Sequence, residues 1–327
     1  MKKKNFYGKI FSIFKENEIY LISSPLQFLN LIEYNFKYNY NYFNKTKKVF
    51  VCDSYGREIN QMNFIKKKLK LNYDIVYLKS IIHKFLILLI CFFKKILNKK
   101  LFLIIIGDYE NPFFGKIFKF SKKVIFLDDG TNIFSVKKSL KKKLSENSNY
   151  YFFTFFEKKF LRTNKYLKND FLFLKSKIKK IRKKNKIFFL GNNYVDQKVF
   201  DLKTYKKVQK YVIKKFINDK LYYFPHPKET LKSVKKTVLF KTIKSSLPFE
   251  LYLILNNEIP KVIISHNSTA FVSLKKIFSS KLELFNIFIK IKKSDRSENY
   301  SNLFLQQHLK TIKYFEKYLK IKTTFIR

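Results

Sequence analysis

The sequence is poor in the residues that break regular structure and in those that form disulfides. Its 327 residues include six glycines, six prolines, two cysteines and no tryptophan. So few Gly and Pro exclude collagen-like and linker-like chains. Cys52 and Cys91 are too few for a disulfide framework and indicate a reducing compartment. Each lies in an apolar run, so we expect two buried structural thiols.

Acidic residues are also scarce, and the charge balance is strongly positive. The chain has 70 Lys and Arg against 23 Asp and Glu, a formal net charge of +47. Arginine contributes little of it, whereas nucleic-acid-reading surfaces usually favour Arg. The excess lies in Lys together with Asn, Ile, Phe and Tyr, which AT-rich codons encode, and we attribute most of the charge to that bias. The field still attracts anionic substrates and acidic lipid.

Apolar residues, in contrast, are plentiful. They make up 46% of the chain, which excludes a disordered basic tail. The most membrane-like run, 85–93, is shorter than the roughly 20 residues that span a bilayer. With Ile81 and Ile82 upstream, it predicts a buried helix or one that lies in a membrane interface. No secretory signal is visible at the start. We therefore expect a cytoplasmic protein, soluble or peripheral on the inner face of the cytoplasmic membrane.

The first half of the chain alternates short apolar runs with helical stretches. We interpret as strands residues 19–23, 48–53, 74–78, 101–108 and 123–129. Near-continuous apolar strands separated by helices are typical of a parallel sheet covered on both faces. A lysine-dense stretch, 173–186, then separates the halves and is interpreted as a linker or a solvated helix.

A second βα series follows this stretch. Strands are predicted at 186–192, 221–227 and 261–266, and helices at 199–218, 249–257, 269–278 and 301–319. Two consecutive α/β units predict two domains, 1–175 and 176–327, that face each other across a cleft. Ligands of such folds bind beyond the carboxyl ends of the strands, and the candidate residues below lie there.

Two carboxylates follow the strand at 123–127. Asp128 and Asp129 are adjacent and can perturb each other's pKa, which would suit one of them to act as a general base. Gly130 allows a sharp turn and the close approach of a ligand. A plain turn capped by Asp is the alternative. The sequence has no Asp-x-Asp pair and no zinc-like Cys/His spacing, so no metal site is expected.

The strand at 221–224 runs into Pro225, His226 and Pro227. The prolines stiffen the backbone, which suits an imidazole that donates a hydrogen bond or a proton to a phosphate. A structural turn histidine is the alternative. Of the other histidines, His266 lies at a strand end as a secondary contact and His308 on the polar side of a helix.

Hydroxyls follow the strand at 261–265. Ser268 or Thr269 could cap the next helix, whose free amides would favour an anion such as phosphate. Capping alone is the alternative. Glu250 lies near a helix start upstream, where a carboxylate suits the helix dipole or could hold a ribose diol.

The first strand of each half is followed by a weaker signal. Ser23 and Ser24 precede Pro25, a residue suited to the first turn of a helix, so their hydroxyls are expected at the cleft. Gly191 and Asn192 close the first strand of the second half in a similar way.

Taken in order, these motifs resemble those of the bacterial sialyltransferases. The segments are SSPLQ (23–27), LDDG (127–130), FPHP (224–227), SSLPFE (245–250) and SHNST (265–269). They are most similar to glycosyltransferase family 52, the lipooligosaccharide sialyltransferases, with the bacterial polysialyltransferases as near relatives. The family signatures are an acidic pair followed by Gly, a His-Pro dipeptide and a downstream Ser/Thr pair.

The resemblance implies a GT-B architecture of two Rossmann-like domains that face each other across a cleft. The N-terminal domain, 1–175, would take the acceptor and carry the catalytic base, and the C-terminal domain, 176–327, would bind the CMP-sugar donor. The reaction implied is inverting and metal-independent, without a cofactor. Sialic acid would pass from CMP-sialic acid to a sugar hydroxyl of a lipooligosaccharide-type glycan at the cell surface.

The motif matches also imply roles for individual residues. Asp128 would be the general base, with Asp129 in support and Gly130 completing the turn. His226, next to Pro227, would stabilise the departing CMP phosphate. The remaining donor contacts implied are Ser268 and Thr269 to the phosphate and Glu250 to the ribose. Gly191 and Asn192 lie outside these motifs and are expected to contact the donor because they end their strand.

Two alternatives stay open. A capsule polysialyltransferase, or another GT-B transferase that uses a CMP-activated acidic sugar, would share the CMP motifs. A basic protein that binds nucleic acid or a membrane surface without catalysis is the second, and the scarcity of Arg argues against it. The expected partners are the donor, the glycan acceptor and an acidic membrane surface contacted peripherally, with no specific nucleic acid. A homodimer is the default oligomer.

Overall fold

The computed structural model describes residues 2–38, 46–54, 56–97, 101–108, 111–117, 120–128, 130, 149–161, 165–279, 282–289 and 302–326. The chain divides into two compact units, Met1–Phe173 and Leu174–Arg327. The division follows Phe173, close to the boundary expected after residue 175.

The first unit is built on a seven-stranded parallel sheet. Its strands are β1 (Glu18–Ile22), β2 (Lys47–Cys52), β3 (Tyr73–Leu78), β4 (Leu101–Ile106), β5 (Ser121–Leu127), β6 (Tyr150–Thr154) and β7 (Tyr166–Lys168). They lie in the order β3-β2-β1-β4-β5-β6-β7, and each neighbouring pair is parallel. The central strands β1 and β4 are buried on both faces, which is why they are apolar almost throughout.

The helices of the first unit are α1 (Lys2–Phe11), α2 (Pro25–Tyr38), α3 (Gly56–Lys68), α4 (Ile81–Ile96) and α5 (Pro112–Ile117), with short helical turns at Ser12–Lys15 and Lys158–Leu161. Helix α1 precedes the first strand, and the helices α2 to α5 connect successive strands. As expected, α2 begins at Pro25, whose fixed φ and missing N–H suit the first position of a helix. All five predicted strands of this half are present.

The second unit has a six-stranded parallel sheet. Its strands are β8 (Arg182–Leu190), β9 (Leu221–Phe224), β10 (Lys241–Thr242), β11 (Glu258–Ser265), β12 (Glu283–Ile289) and β13 (Thr323–Ile326). Their order, β10-β9-β8-β11-β12-β13, becomes 3-2-1-4-5-6 when they are numbered within the unit. This is the doubly wound order of the Rossmann fold.

Helices again connect the strands of this unit. They span Leu202–Lys215, Leu231–Thr237, Phe249–Asn256, Ala270–Phe278 and Asn302–Tyr314, and the last continues as a π-helical turn, Phe315–Leu319. A short helix, Leu172–Ser176, lies at the division between the units. The core contains apolar side chains of β8, β11 and β12 together with those of the helix Leu202–Lys215. The predicted α/β class with two parallel-sheet units is confirmed.

The interpretation of the lysine-dense stretch is wrong for its second half. Strand β8 begins at Arg182, and its basic residues pair along the start of β11, where Arg182 lies opposite Glu258. Lys186 forms an ion pair with Glu258 at 2.9 Å. A parallel ladder uses only backbone groups, so exposed lysines are compatible with a strand. The strands β6, β7, β10, β12 and β13 were not predicted either.

Both cysteines are unpaired and buried, as expected. Burial raises the pKa of each thiol, that of Cys91 to about 12. The apolar run at 85–93 forms the middle of α4. Among the helices within the described ranges, none is both long and apolar enough to cross a membrane.

Candidate active site

The second unit has a topological switch point between β8 and β11. These strands are neighbours at the centre of the sheet, and the chain leaves them towards opposite sides, which opens a crevice at their carboxyl ends. Gly191 and Asn192 follow β8, and Ser268 and Thr269 come shortly after β11. His226 comes two residues after β9, the neighbour of β8. The fold therefore brings five of the predicted donor-side residues to one edge of one sheet.

His226 is fixed in position by three hydrogen bonds of its own loop. Its backbone N–H donates to Glu229 Oε2 at 2.6 Å, and its carbonyl accepts from the Glu229 amide at 3.0 Å. The Lys228 amide donates to His226 Nδ1 at 3.1 Å. Because Nδ1 acts as an acceptor, the proton of the neutral ring lies on Nε2. The ring is thereby set as a donor through Nε2.

Glu229 was missed by the sequence analysis. It is buried, and its other carboxylate oxygen accepts from the Tyr223 hydroxyl at 2.7 Å. That hydroxyl lies 2.8 Å from the Tyr205 hydroxyl, which in turn accepts from the backbone N–H of Asn192. A chain of hydrogen bonds thus links the end of β8 to the backbone of His226. A rare carboxylate three residues after the histidine was the available signal.

Gly191 lies beside this chain of hydrogen bonds. A Cβ added there would lie 2.6 Å from Tyr223 Cζ, and closer still to the Tyr223 hydroxyl and the Glu229 carboxylate. No larger residue fits without moving those buried groups. The structure therefore gives Gly191 a packing role, while its predicted contact with a donor stays a prediction.

Asn192 presents an amide group at the switch point. The side chain is buried, and its Oδ1 accepts from the Tyr194 amide at 3.4 Å. Its Nδ2 is buried and has no hydrogen-bond partner in the part of the chain that the structure describes. Buried donors are nearly always satisfied in native proteins, so this amide is a group that a ligand would complete.

The hydroxyl pair after β11 starts the helix Ala270–Phe278. Ser268 Oγ accepts from the Ala270 amide at 3.3 Å, whereas Thr269, at the N-cap position, makes no side-chain cap bond. Asn267, just before the pair, has a left-handed φ of 51°. It is held there by Asn286, whose side chain bonds both the Asn267 amide and its Oδ1, at 2.8 and 2.7 Å. Capping thus involves Ser268 alone, and a phosphate contact stays a prediction.

Two histidines are buried behind the same loop. His266 is packed edge-on against Tyr194 and Phe200, and neither of its ring nitrogens has a hydrogen-bond partner among the described residues. Burial holds its pKa well below the ordinary value. His308 was expected on the polar side of its helix, and that is wrong. It is buried, with Nδ1 3.0 Å from Asn267 Nδ2, because this polar partner lies inside the unit.

Glu250 lies in the first turn of the helix Phe249–Asn256 and contacts Ser273, in the helix that follows the hydroxyl pair. Its carboxylate is buried and accepts from Ser273 Oγ at 2.5 Å. Burial raises its pKa, and the hydrogen bond from Ser273 opposes that rise. Pro248 is at the N-cap position, so the proline before Glu250 marks the helix start. A ribose contact remains a prediction for this residue.

In the first unit, Asp128 follows β5 and is 1% exposed. Its Oδ2 accepts from the Phe155 amide at 2.7 Å, and its carbonyl accepts from Asn30 Nδ2 at 3.0 Å. The Asn30 Oδ1 accepts in turn from Asn169 Nδ2, so buried amides from two elements fix this strand end. Gly130 has a φ of 69°, as the expected sharp turn requires. Asp129 lies outside the described residues.

Ser23 and Ser24 follow β1, two strands from Asp128 in the same sheet. The Ser23 amide donates to Gln27 Oε1 at 2.6 Å, and Ser24 Oγ accepts from the Gln27 amide at 3.3 Å. Gly107, after β4, makes room for this glutamine, since a Cβ there would lie 2.5 Å from Gln27 Cδ. Ser23 Oγ is buried without a hydrogen-bond partner in the described part of the chain. Gln27 and Gly107 were not among the predicted site residues.

No group of three His, Cys, Asp or Glu side chains among the described residues is arranged to hold a metal ion. The expectation of a metal-independent reaction stays a prediction.

Comparison with solved structures identifies the type of fold. The chain is similar to the crystal structure of an alpha/beta-galactoside alpha-2,3-sialyltransferase from the luminous marine bacterium Photobacterium phosphoreum. The TM-score is 0.50 and the identity 13%, over 94% of this chain and 97% of the other. This chain has a glycosyltransferase-like fold. Its two parallel-sheet α/β units are consistent with the predicted GT-B architecture.

A second likeness is to a UDP-GlcNAc 2-epimerase from Methanocaldococcus jannaschii in complex with UDP-GlcNAc and UDP. The TM-score is 0.47 and the identity 15%, over 93% of each chain, and a score at this level supports no inference. No protein-family model and no curated protein sequence matches the chain.

Proposed function

We propose that this protein is an inverting sialyltransferase that moves sialic acid from CMP-sialic acid to a sugar hydroxyl. The observation that carries the proposal is the fixed loop of His226 at the switch point of the second unit. Its Nδ1 accepts from the Lys228 amide, which leaves the proton on Nε2 for a departing phosphate. The glycosyltransferase-like fold and the order of the sequence motifs support this assignment.

The donor nucleotide would bind along the edge formed by β8, β9 and β11. Asn192 Nδ2 is a buried donor that the described residues leave unsatisfied, and it lies where nucleotides bind in doubly wound sheets. The Ser268 and Thr269 hydroxyls, at a helix start, suit the CMP phosphate. Glu250, in the first turn of the preceding helix, would receive the ribose hydroxyls.

Chemistry at the sialic acid carbon depends chiefly on the leaving group. Bond breaking at this tertiary anomeric carbon passes through an oxocarbenium-like state, and negative charge grows on the CMP phosphate. Hydrogen bonds from His226 Nε2 and the hydroxyl pair would stabilise that charge without a metal ion. Asp128 would accept the proton of the attacking sugar hydroxyl, and the Phe155 amide orients its carboxylate.

The acceptor that we propose is a cell-surface glycan of the lipooligosaccharide type. This part rests on the motif resemblance. A capsule polysialyltransferase would differ in requiring a sialylated acceptor, so lactose and oligosialic acid, offered separately, discriminate the two.

The test is CMP release from CMP-sialic acid with lactose and a chelator, for the native protein and two variants. Asp128→Asn keeps an oxygen that can accept from the Phe155 amide, and His226→Ala removes the imidazole. We expect kcat to fall about 100-fold or more in each, within the range for a lost acid or base. Asp53→Asn is the matched control, because that carboxylate follows β2 and bonds Lys84 and Asn111. Native rates in both site variants would contradict the proposal.

A further inference from the structure

The helix α4 exposes a wide apolar face. Its sequence is apolar almost throughout, and seven large apolar side chains lie exposed on one face. They are Ile81, Ile82, Phe85, Leu89, Phe92, Phe93 and Ile96, between 38% and 83% exposed. Their spacing of three and four residues, with adjacent pairs, forms a continuous stripe along one side of the helix. We call these seven residues the α4 stripe.

The opposite, inward face of α4 holds a buried lysine. Lys94 is buried, and its ammonium donates to the carbonyl of Ile13 at 3.1 Å and to that of Glu16. Ile87, Ile90 and Cys91 share this inward face. In an ordinary surface helix the polar residues face water. Here the outward face is apolar over four turns, and contiguous patches of this kind mark interaction sites.

The neighbouring helix α1 extends the apolar surface. The ring of Tyr7, 41% exposed, meets the ring of His83 on α4 at 6.4 Å. Phe11, at the end of α1, is 51% exposed.

The two helices that carry this apolar surface are basic. Neither α1 nor α4 contains an acidic residue, and α1 begins with Lys2, Lys3 and Lys4. Two other lysines of these helices are paired with acidic residues of neighbouring segments, Lys9 with Asp74 and Lys84 with Asp53, each at 2.7 Å. Lys95 is exposed at the side of the stripe, and Lys79 is exposed just before α4. An apolar helix face bordered by lysines is the pattern of a helix that lies in the interface of an acidic bilayer. A second copy of this chain would bring like charges together.

We propose that the α4 stripe docks the protein on a membrane rich in anionic lipid. The apolar side chains enter the boundary between headgroups and acyl chains, and the lysines beside them contact the lipid phosphates. The inference goes beyond the proposed function and does not depend on it, because lipid binding is measured without a donor or an acceptor.

The first experiment is vesicle flotation with the full chain. Vesicles of phosphatidylcholine alone are compared with vesicles containing about 30% phosphatidylglycerol, at low and at high salt. We expect binding to the anionic vesicles, weakened by salt, and at least tenfold weaker binding by Phe85→Ser/Leu89→Ser/Phe92→Ser. The matched control is the second-unit triple variant Ile217→Ser/Leu239→Ser/Leu255→Ser, whose sites are also exposed. It should bind within twofold of the native chain.

A second measurement guards against a variant that fails to fold. The chain has no tryptophan, so a single Trp reports without background. Phe85→Trp should shift its fluorescence to the blue and resist acrylamide quenching when anionic vesicles are added, whereas Ile217→Trp should not. The proposal is overturned if both reporters behave alike, if the α4 triple variant binds like the native chain, or if neutral vesicles bind equally well. A native dimer that the α4 variant converts to a monomer, without lipid binding, would assign the stripe to a second copy.

Discussion

Replacing Glu229 should uncouple the loop of His226 from the fold. The carboxylate accepts from the His226 amide at 2.6 Å and from the Tyr223 hydroxyl at 2.7 Å. A hydrogen bond to a charged group contributes about 1.5–3 kcal/mol. Glu229→Ala loses both, so we expect a loss of about 4 kcal/mol in the free energy of unfolding. For a unit of this size that lowers the Tm by about 10 °C.

The effect on catalysis has a different origin. Without Glu229 the His226 backbone has lost one of the bonds that fix the loop, and a small misplacement of a catalytic group is costly. We expect kcat of Glu229→Ala to fall about tenfold with little change in KM. In Glu229→Gln the amide oxygen still accepts from the His226 N–H, so most of kcat should return.

Tyr223→Phe separates stability from positioning. It removes the hydrogen bonds of the Tyr223 hydroxyl to Glu229 and to Tyr205 and leaves the bond between Glu229 and the His226 amide. It should therefore lose about 3 kcal/mol of stability and keep kcat near the native value. Calorimetry and steady-state CMP release measure the two effects. If kcat follows the Tm across all three variants, Glu229 acts only on stability, and the positioning argument fails.

Two further predictions concern the same unit. Gly191→Ala should lower the free energy of unfolding by about 1–3 kcal/mol, because the added methyl group overpacks against Tyr223 and Glu229. The control Gly8→Ala, in a helix with open space around it, should be neutral or stabilising. Equal midpoints of the two variants in a urea titration would contradict this prediction. Burial lowers the pKa of His308 from 6.5 to about 4, so the unfolded chain takes up this proton first as the pH falls. This contribution to stability should therefore be fully present above pH 6.5 and decline by about 3 kcal/mol towards pH 4. A native pH profile with the same slope as that of His308→Gln, in which His266 still titrates, would refute it.

The parts of the fold that the sequence predicts are those where burial imposes composition. Strands β1 to β5 and β11 are each buried over half or more of their length, and their apolar runs stand out even in a lysine-rich chain. The start of β8 does not stand out, because its lysines are exposed while the backbone pairs with β11. For the same reason, the sequence did not predict that the first strand of the second unit begins at Arg182.

The candidate site divides in the same way. The strand-end positions of Asp128, His226 and the Ser268–Thr269 pair could be predicted, because residues that follow parallel strands lie at the carboxyl edge of their own sheet. The contact of Glu229 with Tyr223 could not, because it depends on how a loop folds back onto β9. His308 was misplaced because its partner, Asn267, is distant in sequence and buried. Contacts of this kind follow from packing and leave no periodic pattern.

The proposed reaction is the transfer of sialic acid from its CMP donor. It is tested most directly by following CMP-sialic acid and lactose with the native protein and a chelator in a proton NMR time course, which reports CMP release and the anomeric configuration of the product together. We expect the release of CMP to be matched by a sialylated sugar of inverted configuration. An unchanged donor, or a product of retained configuration, would contradict it.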